Sequence, residues 1–118
     1  MAMTFLNSTE LLQNALKERL YGKLVVQLEK DFGLANVPVD FSLDVSPIDL
    51  KTILHEKVYF LILEKFADYL KLLYIVDVPE KVLKEIRITD VVELAEQVSF
   101  LILKREWQKV WFKIKYST

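Results

Sequence analysis

Residues able to perform chemistry are scarce in this chain of 118 residues. His55 is the only histidine, and there is no cysteine. The pair His55–Glu56 looks like half of a zinc-protease motif, but position 59 holds Tyr where that motif requires a second His. One His without Cys cannot supply the usual ligands of a catalytic zinc, and Thr52 stands where a di-iron Glu-x-x-His motif would need Glu. We therefore predict no catalytic residue, no metal and no cofactor.

Covalent and nucleotide chemistry lack their sequence motifs as well. Two glycines in the whole chain are too few for a P-loop or a dinucleotide-binding fingerprint, and no G-x-S-x-G nucleophile elbow occurs. Paired carboxylates could perform acid–base chemistry, but Glu56, Glu64 and Asp68 lie among lysines. That pattern is typical of a solvated helix face with local ion pairs. The sequence thus favours a protein that is not an enzyme.

The C-terminal segment carries the clearest candidate binding surface. The whole chain has a net charge of -1, with 16 basic and 17 acidic residues, yet residues 104–118 hold five basic residues against Glu106 alone. Basic side chains could contact phosphates, and an aromatic ring between them could stack on bases or lie at a lipid interface. The alternative is an ordinary amphipathic helix whose basic residues favour its C-terminal dipole. The candidate anion-binding residues are Lys104, Arg105, Lys109, Lys113, Lys115 and Trp111.

Apolar residues are slightly in excess, at 53% of the chain, against about 45–50% in typical globular domains. A chain this short buries only about two-thirds of its unfolded surface. The excess therefore predicts either a shared interface, most simply a symmetric homodimer, or an internal pocket for an apolar ligand. The candidate pocket or interface residues are Phe60, Phe66, Tyr69, Tyr74, Phe100 and Trp107.

The elements that must position these residues are predicted to be mainly helical. Asn7 with Glu10 forms a capping box ahead of leucines at every fourth position, Ser46 precedes a Pro at the first helical position, and Asp90 can cap the last helix. We expect long helices over about 8–32, 47–76 and 91–115, and a short helix near 79–86.

Residues 34–45 do not follow the helical period. Apolar residues alternate there with Pro38, Asp40, Ser42 and Asp44, which indicates an extended, half-buried segment. Pro38 limits it to a strap over the helices or an edge strand. Residues 110–116 alternate in the same way, so the alternative is an α+β fold with a two-stranded ribbon pairing 37–45 and 110–116. We favour helix for 110–116 because the apolar spacing of 3 and 4 continues from Phe100 to Ile114.

An internal similarity links two of the predicted helices. Residues 54–63 read LHEKVYFLIL and residues 94–103 read LAEQVSFLIL, so that seven of ten positions are identical. One interpretation is a duplicated helical unit. The other is that two buried helices use the same small set of apolar residues. Both interpretations predict helix for both segments.

Taken together, the sequence predicts a single all-α domain over residues 1–118, a small helical bundle with a strap at 34–45. No signal peptide or membrane span is apparent, and we expect a cytoplasmic protein. The expected function is a non-enzymatic interaction or assembly module that acts as a homo-oligomer, most simply a dimer, with an unidentified protein as another option for the partner. The alternatives are binding of nucleic acid or an anionic membrane surface through the basic C-terminal segment, and carriage of a small apolar ligand.

Overall fold

The computed structural model describes residues 4–42 and 44–116, and all regular structure in those ranges is helical. Six helices are formed within these ranges, and no strand occurs in them, which confirms the all-α class. In chain order they are α1 (Ser8–Lys17), α2 (Tyr21–Leu34), α3 (Pro47–Glu64), α4 (Phe66–Val76), α5 (Glu80–Lys84) and α6 (Val91–Lys115).

The predicted helix starts are confirmed by side-chain caps. Asn7 Oδ1 accepts a hydrogen bond from the Glu10 amide at 2.9 Å, and Ser46 Oγ accepts from the Asp49 amide at 3.1 Å. Asp90 Oδ1 accepts from the Val92 amide at 2.9 Å. Each cap satisfies an amide that the helix itself leaves without a partner. The last helix has the predicted bounds, 91–115.

Two of the three long helices were predicted wrongly, because each is broken into two. The predicted helix 8–32 is interrupted at residues 18–20, where Arg19 adopts the left-handed conformation with φ of 61°. The predicted helix 47–76 is interrupted at Lys65, with φ of −140° and ψ of 59°. The breaks allow the halves to pack differently: α1 contacts α3 and α6, whereas α2 contacts α4 and α6.

Of the predicted strap 34–45, Leu34 is still helical, residues 35–42 and 44–45 form neither helix nor strand, and Leu43 lies outside the described residues. After α2 ends, Val37, Phe41 and Val45 are buried, whereas the polar positions and Pro38 between them are exposed: Pro38, Asp40, Ser42 and Asp44. The Tyr21 hydroxyl donates to the Val45 carbonyl at 2.7 Å, and Glu29 Oε2 accepts from the Phe41 amide at 3.1 Å. Both contacts hold the strap on α2. The alternative ribbon is not formed, since residues 110–115 are helical.

Helix α6 lies at the centre of the fold. It contacts α1, α2, α3 and α4, and its side chains are buried around more than half of the helix circumference. Trp107 is the largest fully buried side chain. Residues 54–63 and 94–103, the similar segments, lie in α3 and α6, which pack against each other. Within the described ranges, no helix combines the length and the apolar character needed to cross a membrane.

Candidate functional site

Two carboxyl groups are buried where α2 packs on α6. Asp31 of α2 is 4% exposed, and Glu106 of α6 is fully buried. Acidic side chains are almost never fully buried unless they are paired. Sequence reasoning missed this site, because Asp31 was not singled out and Glu106 was counted only as the one acid in a basic segment. The available signal was position: Glu106 falls among the apolar residues of the α6 seam, and Asp31 precedes Phe32 in the apolar stripe of α2.

Lys109 bridges the two carboxyl groups. Its Nζ atom lies 2.7 Å from Asp31 Oδ2 and 3.0 Å from Glu106 Oε1. Gln27, one helical turn before Asp31, donates from Nε2 to Asp31 Oδ2 at 3.2 Å. We call these four residues, Gln27, Asp31, Glu106 and Lys109, the buried acid cluster. Because its members come from α2 and α6, it forms only when the two helices are in register.

The two carboxyl groups differ in acidity. Burial, together with the neighbouring Asp31 carboxylate and against the effect of Lys109, raises the pKa of Glu106 from 4.5 to about 8. Burial also opposes ionisation of Asp31, but the neighbouring Glu106 and the hydrogen bonds from Lys109 and Gln27 together lower its pKa. Near neutral pH, Glu106 therefore keeps its proton while Asp31 is ionised. With Lys109 charged, the cluster is close to neutral overall.

The chemistry open to this cluster is limited by burial. Neither carboxyl group faces solvent, whereas the Lys109 side chain, at 22% exposure, and the half-buried Gln27 reach the surface. A general acid or base must lie within hydrogen-bond reach of its substrate, and these carboxyl groups do not meet that requirement. The cluster keeps a proton on Glu106 and joins α2 to α6. It does not present a reactive group at the surface.

The basic residues predicted to bind an anion do not share one surface. Arg105 donates to Asp77 twice, from Nε to the backbone oxygen at 3.0 Å and from Nη2 to Oδ2 at 3.2 Å. Lys109 belongs to the buried acid cluster. Two members of the predicted surface are thus already paired within the chain.

The other members of that set lie on two sides of α6. Lys104 and Lys115 each lie over an aromatic ring of the same helix, Phe100 at 5.4 Å and Trp111 at 5.7 Å from the ring centroid. Helical periodicity places Lys104, Lys115 and the two rings on one side of α6. It places Lys113 on a different side, the one that carries Lys109.

The six candidate pocket residues are separated as well. Trp107 and Tyr69 are buried in the core, and Phe100 is partly buried. Phe60, Phe66 and Tyr74 are exposed, Tyr74 by 83%. The structure therefore does not gather the six around one pocket, and half of them lie on the surface.

A set of exposed apolar side chains lies along the end of α3 and the length of α4. Its six side chains are between 37% and 83% exposed. They follow helical spacing, so that within each helix they project from the same side. We call this set the α3–α4 face: Tyr59, Phe60, Leu63, Phe66, Leu70 and Tyr74.

His55 has a local contact that accounts for its position. Its Nε2 atom lies 3.1 Å from the Val92 backbone oxygen, which links α3 to the first turn of α6. Among the residues that the structure describes, no group of three or more His, Cys, Asp or Glu side chains is arranged to hold a metal ion.

Comparisons with protein-family models, with curated proteins and with solved structures find no match to this chain.

Proposed function

We propose that this chain is a non-enzymatic assembly module that forms a homodimer through the α3–α4 face. The observation that carries the proposal is the exposure of six large apolar side chains, three on one side of each of two consecutive helices. Scattered apolar residues are normal on a protein surface, but a contiguous apolar patch typically marks an interaction site.

The composition of α4 supports an interface rather than a solvated surface. Only Asp68 and Lys71 are charged among its eleven residues. One side of the helix buries Leu72, Leu73 and Val76 in the core, while the adjacent side carries the exposed Phe66, Leu70 and Tyr74. A helix whose apolar residues extend this far around it is characteristic of a position that is packed on more than one side. Within one copy of the chain, however, α4 is covered on one side only.

The size of the α3–α4 face suits a dimer. At about 200 Å² for each large side chain, the exposed fractions of the six residues correspond to about 650 Å² per copy. A standard interface buries roughly 800 Å² on each partner. Neighbouring residues at the rim would supply the small difference.

The charges beside the face favour a second copy as the partner. Glu64 and Asp68 balance Lys65 and Lys71, so this part of the surface has no net charge. In a twofold interface the same patch meets itself, and a balanced patch does not repel its own copy. A strongly charged partner would gain no electrostatic attraction from it.

Sedimentation velocity over a range of protein concentrations tests this proposal with two matched variants. Leu70→Glu places a charge at the centre of the face and is expected to weaken dimerisation by roughly tenfold or more, because a carboxylate would be buried without a partner. Ile48→Glu places the same charge on a more exposed apolar position of α3, outside the face, and is expected to dimerise like the wild type. Equal dimerisation of the two variants would contradict the proposal.

A further inference from the structure

A second surface feature, a groove between α2 and α6, has a different chemistry from the α3–α4 face. Its volume is about 310 Å³, at the lower end of the range for small-molecule pockets. One wall comes from α2 and the other from the last turns of α6. The lining residues are Gly22, Lys23, Val26, Gln27, Lys30, Val110, Lys113 and Ile114.

The groove is cationic. Lys23, Lys30 and Lys113 line it, and none of its lining residues is acidic. All three lysines are exposed, and none of them forms an ion pair with a carboxylate of the described residues. Three ammonium groups around one concave surface raise the local concentration of anions.

The carboxyl groups behind the groove do not cancel this charge. Gln27 lines the groove and donates to Asp31, so the buried acid cluster lies directly beneath the lining. In that cluster Lys109 balances Asp31, and Glu106 keeps its proton near neutral pH. The cluster therefore contributes almost no net charge to the groove.

The remaining lining residues are apolar. Val26 and Ile114 are exposed large side chains on opposite walls, and Val110 is buried in α6 beside them. Gly22 has no side chain, and nothing lies within 4 Å of where its Cβ would be, so that this part of the α2 wall is open. The groove thus offers an apolar surface and a cationic rim within one concavity.

We infer that this groove binds a small amphipathic anion, a phosphate monoester with a short apolar group. A lysine ammonium is a compact point charge suited to phosphate, and three of them favour a dianionic head over a singly charged one. The apolar group lies on Val26, Val110 and Ile114. The volume holds about ten water-sized groups, which limits the ligand to the size of a hexyl phosphate. This inference involves other helices than the α3–α4 face and does not depend on dimerisation.

Isothermal titration calorimetry tests the inference with three probes: hexyl phosphate, hexanol and inorganic phosphate. Hexyl phosphate is expected to bind roughly tenfold or more tightly than either of the others, because only it engages both the cationic rim and the apolar surface. Its affinity should fall as salt is added, since the lysines are exposed to solvent. Equal affinity for hexanol would overturn the role of the lysines, and equal affinity for inorganic phosphate would overturn the role of the apolar surface.

Two double variants locate the site. Lys23→Gln with Lys113→Gln removes a charge from each wall of the groove and is expected to weaken hexyl phosphate binding by roughly tenfold or more. Lys17→Gln with Lys81→Gln removes the same total charge from exposed positions outside the groove and should bind like the wild type. Circular dichroism checks that both variants fold. Equal binding by the two variants, or no saturable binding by the wild type, would overturn the inference.

Discussion

The Nζ atom of Lys109 lies 2.7 Å from Asp31 Oδ2, and these residues are 78 positions apart in the chain. The contact joins α6 to α2 at the point where Glu106 is fully buried. A buried ion pair is weak evidence for stability, but an unpaired buried charge is strongly unfavourable. The cluster therefore mainly disfavours other registers of α2 on α6, because Asp31 would lose its partner Lys109 in them.

The first prediction concerns the pH dependence of stability. Between its ordinary pKa of 4.5 and its pKa of about 8 in the fold, Glu106 is protonated in the folded chain and ionised in the unfolded chain. Folding then takes up a proton, so the free energy of unfolding decreases as pH rises, by up to about 1.4 kcal/mol per pH unit. Asp31 acts in the opposite direction only at acid pH, where its lowered pKa makes stability fall as pH falls. Urea denaturation followed by tryptophan fluorescence at several pH values measures this slope.

Glu106→Gln provides the matched control for that slope. The amide has the shape of the protonated acid and can donate to Asp31, but it does not titrate. We expect its stability near pH 5 to be within about 1 kcal/mol of the wild type, and the decrease toward pH 8 to be absent. A wild type and a variant with the same slope would show that Glu106 does not cause the pH dependence.

The second prediction concerns Lys109→Met, which keeps much of the side-chain volume and removes the charge. Asp31 would then be buried without its cation, and we expect a loss of about 3 kcal/mol in the free energy of unfolding. Lys115→Met on the same helix removes an exposed charge and should cost about 0.5 kcal/mol or less. Urea denaturation at neutral pH compares the two, and similar losses would argue against the bridging role of Lys109.

The third prediction concerns the break between α1 and α2. Arg19 has a positive φ of 61°, which is unfavourable for a residue with a Cβ, and its side chain is exposed. We expect Arg19→Gly to raise the free energy of unfolding by about 0.5–1 kcal/mol, since glycine adopts this conformation readily. Lys17→Gly, two residues earlier at the last position of α1, should instead lower it, by less than about 1 kcal/mol. The same sign for both substitutions would contradict this account of the break.

These breaks illustrate what the sequence could and could not predict. The caps at Asn7, Ser46 and Asp90 bind amides of the residues that follow them closely in the chain. The helix starts could therefore be predicted from the local sequence. The breaks at Arg19 and Lys65 were not, because the apolar pattern continues across both and no glycine or proline marks either position.

The candidate sites likewise depend on contacts between residues that are far apart in the chain, and such contacts are not visible in the local sequence. Asp31 and Glu106 meet through tertiary packing, for which the local pattern gives no direct signal. Their only local signal was the placement of acids among apolar helix positions. The groove likewise joins lysines of α2 to Lys113 of α6, and only Lys113 was among the predicted binding residues. The apolar excess was visible in the composition, but its location on the α3–α4 face required the structure.

The most direct test of self-association is the molar mass of the wild-type chain in solution. Size-exclusion chromatography with light scattering, at several protein concentrations and two salt concentrations, measures it. We predict a mass near twice 13.9 kDa that is insensitive to salt, because the α3–α4 face is apolar and its flanking charges are balanced. A mass of 13.9 kDa at every concentration would contradict the proposed homodimer.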